Sequence, residues 1–191
     1  MLIRAILLVV ALAGAAAQAN DARDALRLGR SQDEALYAAF SKGYSLSPAD
    51  PVASAEIITE FRRAVLIVRE HAQQGEFGFT ERDLNVAMQP HVGKVTFVVQ
   101  VKLHPLNTYQ KVPAYDLYIS TGANSPPVAT PAMTREPIYA IGGPGSALVG
   151  VRLEATLPRD RILAARTPEL IVTNEYADVV WRARVDLSRF R

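Results

Sequence analysis

The sequence predicts an α+β protein in which a helical segment precedes an antiparallel β-sandwich. Three observations predict it. From residue 20 to about residue 90, apolar side chains recur three or four places apart, the spacing of one helix face. From 91 to 191 they recur at every second place, in short runs broken by Gly, Pro, Asn and Asp. No helix-length stretch separates successive runs, and parallel crossovers need such a stretch, so antiparallel pairing is expected.

Residues 1–19 have the three parts of a cleavable secretory signal. Arg4 supplies a positive charge, Ile6 to Ala13 an apolar run, and Ala17-Gln18-Ala19 a small-x-small cleavage site before Asn20. The apolar run is short beside the ~20 residues of a membrane span. The expected destination is the bacterial periplasm or the outside of the cell, with the membrane crossed during export and not retained. Cleavage leaves a chain of about 170 residues, the size of one domain with a helical appendage.

In the helical segment, Ser31-Gln32-Asp33-Glu34 reads as a capping box, with Leu36 and Phe40 one turn apart behind it and Gly43 as a stop. Asp50-Pro51 reads as the N-cap and first position of the longest helix. Its stripe would be Ile57, Phe61, Ala64, Val65, Val68 and Ala72, and Gly75 would end it. Thr80 and Asp83 mark a third helix that buries Leu84, Ala87 and Met88 and stops at Pro90.

In the second part, strands are expected at residues 95–103, 115–119, 149–157, 170–172 and 179–187, with a weaker one at 138–141 and another at 161–165. Gly142-Gly143-Pro144-Gly145 and Asn174 to Ala177 read as hairpin loops. Gly122 to Pro137, with four prolines, reads as an extended loop. Six or seven strands over about 100 residues resemble an immunoglobulin-like sandwich in layout, without that family's cysteine pair.

Composition narrows the function. The chain has no cysteine, so thiolate chemistry, Cys-bound zinc and iron–sulfur clusters are excluded and stability rests on packing. A formal net charge of +2, with no basic run carrying interleaved aromatics, argues against nucleic acid. His71, His91 and His104 match no metal-ligand spacing, and no cofactor is expected. Glu81 with Asp83 and Glu175 with Asp178 read as capping and turn residues; Glu154 and Asp186 read as partners for nearby arginines. Ser146 follows Gly143-Pro144-Gly145 but precedes a strand, unlike a nucleophile elbow.

The expected role is therefore non-catalytic binding, to another envelope protein, a carbohydrate or a peptide. The candidate recognition surface is Tyr109, Tyr118 and Tyr139 with Arg152, Arg182 and Arg184, the arginines forming one cationic patch if their strands are neighbours. Trp181 falls in the apolar register and is expected in the core. Two rivals stand beside this reading. One is an exported hydrolase using His91 or His104 with a buried carboxylate. The other is an envelope assembly component that exposes Ile57, Phe61 and Val65.

Overall fold

The computed structural model describes residues 21–104, 111–120, 128–129, 133–140, 147–163 and 168–191. The leader at 1–19, the loop at Gly142–Gly145, Tyr109 and Ser146 lie outside them. The described chain is α+β, with two antiparallel sheets and no helix long and apolar enough to cross a membrane. Its described residues form two compact units, one from residues 21–41 and Glu60–Val92, the other from Lys42–Thr59 and the described part of Gly93–Arg191.

The first unit is helical. Residues 21–29 form α1, Glu34–Lys42 α2, Glu60–Gln73 α3 and Glu81–Met88 α4. The α3 stripe lies where the spacing placed it, with Phe61, Ala64, Val65 and Val68 buried, and Gly75 follows the helix at φ +82°. α1 meets α3 at Gly29. A methyl group there would stand 2.6 Å from Val68 Cβ and 2.9 Å from the Val65 carbonyl oxygen. Glycine is therefore needed for close approach of the two helices.

α2 buries no side chain and is held from α3 by two arginines. Arg62, itself buried, lies over the Tyr37 and Phe40 rings at 5.5 and 5.2 Å. Arg69 stacks on Tyr37 at 3.6 Å and grips Glu34 with bonds of 2.7 and 2.9 Å. These cation–π and charge-assisted contacts add to an edge-on ring contact between Phe40 and Phe61, 6.0 Å apart. The N-cap of α2 differs from expectation. Asp33 Oδ1 accepts from the Ala35 and Leu36 amides, whereas Ser31 accepts only from Asp33 N. The shorter carboxylate one turn back reaches the orphan donors, so Glu34 is free to meet Arg69.

The helix expected from Asp50 requires correction. Val52–Ile58 is a strand, β2, and α3 begins at Glu60. β2 follows the two-residue β1, Ser45–Leu46, and pairs with β3, Lys94–Lys102, from Val52↔Val101 to Ile58↔Thr96. Ile57 fits the helical stripe by spacing, but its burial comes from a sheet row with Phe97. Ladder pairing with a distant strand outweighed the local cap signal.

The second unit carries both sheets. After β3 come β4 (Asp116–Ser120), β5 (Val128–Ala129), β6 (Met133–Tyr139), β7 (Leu148–Pro158), the short helix α5 (Arg159–Leu163), β8 (Glu169–Thr173) and β9 (Val179–Arg184). The sheet orders are β1-β2-β3-β7-β6 and β5-β4-β8-β9, and every ladder is antiparallel, including β2 with β3 across the helices α3 and α4. Two further expectations are corrected. Met133–Pro137, expected in a loop, belongs to β6; an exposed edge strand tolerates Pro137 because one side of it needs no partner. The strand expected at 161–165 is not formed at its start, where residues 161–163 end the helix α5, with Ile162 turned inward.

Alternation sorts the side chains as predicted. In the first sheet Val95, Phe97, Val99 and Val101 on β3 share a face with Val151, Leu153, Ala155 and Leu157 on β7, all buried. Thr96 and Val98, on the opposite face, are buried too, and the Thr96 and Thr156 hydroxyls bond at 2.8 Å. In the second sheet the rows Leu117–Val172–Trp181 and Ile119–Leu170–Ala183 form the apolar face. Trp181 is buried, as its register implied. Arg135 of β6 links the sheets at one corner, donating to the Tyr115 carbonyl at 2.7 Å and to the Asp116 carboxylate.

Candidate functional site

In an antiparallel sheet, residues directly opposite point to the same face. On the second sheet the face away from the apolar rows carries Tyr118–Ile171–Arg182 and, one step along, Ser120–Glu169–Arg184. Tyr118 and Ile171 are half-buried, and Arg182 and Arg184 are exposed. With strands about 4.8 Å apart, Tyr118 and Arg182 are two strand steps apart with Ile171 between them. The result is a flat aromatic–aliphatic–cationic strip. Arg184 leans on Glu169 at 3.4 Å, an exposed pair. Exposed pairs contribute little, so both guanidinium groups remain available to a ligand.

The other predicted residues lie elsewhere. Arg152 is on β7 and Tyr139 on β6, both in the first sheet. β7 and β9 are not neighbours, so the three arginines do not form one patch through adjacent strands. Arg152 is held between two carboxylates, Glu136 at 3.1 Å and Glu154 at 2.9 Å, and its charge is spent within the sheet. Tyr139 is exposed at the end of an edge strand.

The hairpin joining β8 to β9 is closed by one side chain. Asn174 Oδ1 accepts from the Tyr176 and Asp178 amides at 3.0 and 2.9 Å, and Asn174 N donates to the Asp178 carbonyl at 3.0 Å. This network holds Ala177 at φ +65°, a left-handed conformation that costs a non-glycine residue about 1 kcal/mol. It presents Tyr176 at the tip, 77 % exposed.

The three histidines stand on different elements. His71 stacks on Phe79 at 3.9 Å and meets Glu76 at 2.5 Å, tying down the turn after α3. His91 sits in a 3₁₀ turn after α4, and His104 follows β3. Among the described residues every carboxylate is half-buried or exposed, and no three metal-ligating side chains converge. Ile57, Phe61 and Val65 are all buried, so they form no exposed stripe.

The Thr80–Asp83 capping box is present: Asp83 Oδ2 accepts from Thr80 N at 2.8 Å and Thr80 Oγ1 at 2.7 Å. The Thr80 hydroxyl bond, then its amide, holds the Asp83 carboxyl below its ordinary 3.8. A depressed folded pKa means that the folded chain binds this proton less readily than the unfolded one. The contribution to α4 is thus full above about pH 3.8 and is lost as pH falls through the lowered value. Amide exchange at the start of α4 should accelerate over that acid window beyond the intrinsic pH effect, and Asp83→Asn should abolish the extra dependence. Asp186 is lowered by the same kind of contact, from Ser188, and caps the turn Leu187–Arg189 instead of pairing with an arginine of β9.

Two concavities were not visible in the sequence. One of about 500 Å³ in the helical unit is lined by Phe61, Ala64, Leu84 and Met88 with Glu60 and Glu81. The other, about 530 Å³, lies between α5 and the C-terminal turn, lined by Ile162, Leu163, Val185, Leu187, Phe190 and Arg189. Each joins residues far apart in sequence, and no local pattern marks them. Ile171 was missed for a related reason: only the strand order sets it between Tyr118 and Arg182.

Comparison with protein-family models, curated proteins and solved structures finds no match. What the geometry defines is an α+β chain with two antiparallel sheets, one of which carries a solvent-facing strip of Tyr118, Ile171 and Arg182.

Proposed function

We propose that this protein is an exported, non-catalytic binding protein of the bacterial envelope, and that it recognises another envelope protein through the outer face of the second sheet. The observation that carries the reading is the strip Tyr118–Ile171–Arg182, with Arg184 beside it. A tyrosine offers wide contact area at small entropic cost, and a guanidinium offers directional bonds to carboxylates. Both stand on strands whose opposite faces are packed, so the surface is preorganised. We read the two sheets as a sandwich of immunoglobulin-like size, their apolar rows facing each other; the contact of Arg135 with Tyr115 and Asp116 supports this.

The test is capture of partners from envelope extract by the intact mature chain. Tyr118→Ala and Arg182→Ala are each expected to reduce the captured partner about tenfold, the loss of roughly 1.4 kcal/mol per anchor. Tyr139→Ala and Arg152→Ala, on the other sheet, are expected to leave capture unchanged. Equal capture by all four variants would refute the surface. Recovery of the chain from the cytosol with residues 1–19 still attached would refute export.

A further inference from the structure

The four ends of the two sheets are not alike. β1 and β5 are two residues long. β6 carries Pro137 together with Arg135 and Glu136, devices that discourage strand addition. β9 ends the second sheet, runs for six residues and has no proline. Its register shifts once, at Val180, because Val172 faces Trp181 while Thr173 faces Val179. Beyond that bulge the strand is regular.

The phase of its hydrogen bonds is set by Val185 N, which donates to the Pro168 carbonyl at 2.8 Å. Antiparallel pairs alternate between bonded and non-bonded. Pro168/Val185, Leu170/Ala183 and Val172/Trp181 therefore turn their backbone groups towards each other. Arg182 and Arg184 turn their amides and carbonyls away from β8, to the open side. Among the described residues those groups take no other partner, and both side chains are exposed.

We infer that the open edge of β9 takes up an extended acidic segment of the partner protein as an added strand. The inference rests on the reading of the second sheet as the recognition face and names the chemistry that face selects. Main-chain bonds to Arg182 and Arg184 hold the segment, as in other strand-addition complexes. Carboxylates at alternate positions of the segment lie beside the two guanidinium groups, which stand two residues apart on one face. A second copy of this chain is a poor occupant. Bonded pairs across such an edge can involve only Arg182 and Arg184, so every self-pairing through them sets arginine opposite arginine. The bulge at Val180 marks where the added strand stops.

The test uses the intact chain and short peptides that alternate glutamate with valine. Counterparts carry lysine for glutamate, or N-methyl groups on the amides that face β9. The acidic peptide is expected to bind with amide shifts centred on residues 181–185. The lysine and N-methylated peptides are expected to bind at least about tenfold more weakly. Arg182→Glu should reverse the charge preference. Arg182→Pro, which removes an outward amide, should weaken binding to the same extent; the N-methylated peptide probes the same bond should that variant fail to fold. Equal binding of both charges, indifference to N-methylation, or self-association through β9 overturns the inference. If the peptides fail while Tyr118→Ala still reduces partner capture, strand addition is wrong and the binding face stands. If the peptides bind while capture ignores Tyr118, the face is wrong and the edge stands.

Discussion

Phe97→Ala is expected to lower the stability of the sheet unit by about 4 kcal/mol, within the range measured for large aromatic truncations in cores. Phe97 is fully buried at the middle of β3, opposite Ile57 on one side and Ala155 on the other. Small Ala155 cannot move to fill the space, and Ile57, Val99 and Leu153 are themselves fully enclosed. The cavity therefore persists and adds its own cost to the lost transfer energy. Domains of this size have about 5–15 kcal/mol in total, so the variant should be close to unfolding. Trp181, the sole tryptophan, is buried in the same unit and reports the transition. The midpoint in urea should fall sharply with little change in slope. Phe97→Leu should cost less than half as much. A loss below about 1 kcal/mol for Phe97→Ala contradicts the packing described.

Gly29→Val is expected to destabilise the helical unit by about 3 kcal/mol, and Gly29→Ala by less. Two effects oppose each other. Replacing glycine in a helix with alanine favours the helix by about 1 kcal/mol. Against that, the new Cβ would stand 2.6 Å from Val68 Cβ and 2.7 Å from Val68 Cγ1, where carbon atoms prefer about 3.5–4 Å. Val65 and Val68 are buried and cannot yield, and the Val65 carbonyl at 2.9 Å belongs to the backbone of α3. Steric cost wins, and α1 must lift from α3. The β-branched valine adds a second clash and loses the propensity gain. Hydrogen exchange should show it directly, with protection lost across α1, residues 21–29, before α3. Stabilisation by Gly29→Ala means that the helices do not meet at this point.

Gly29 also illustrates what a sequence reading can miss. Within its own helix it looks like a weak position, and its purpose appears only when Val68 is placed against it. Ile57 is the converse case. Its spacing from Phe61 and Val65 suits a helix, yet it lies in β2 because residues 52–58 complete a ladder with β3. A cap signal such as Asp50-Pro51 is local and worth about 1 kcal/mol; six residues paired with β3 outweigh it. The Arg152, Arg182 and Arg184 set fails as one patch for the same reason. Period two assigns each to an outward register but is silent on which strands are neighbours.

Several features were determined by the sequence alone: the antiparallel sense of the strands, the burial of Trp181, the Thr80–Asp83 cap and the turn at Asn174. All depend on contacts within a few residues, or on which side of a strand must avoid water. Tertiary structure alone decided the strand order, the place of Tyr118 and Arg182 in one row, the guarding of β6 and the opening of β9. These depend on pairings between segments tens of residues apart. Many pairings satisfy the same alternation, and only packing of the whole core selects among them.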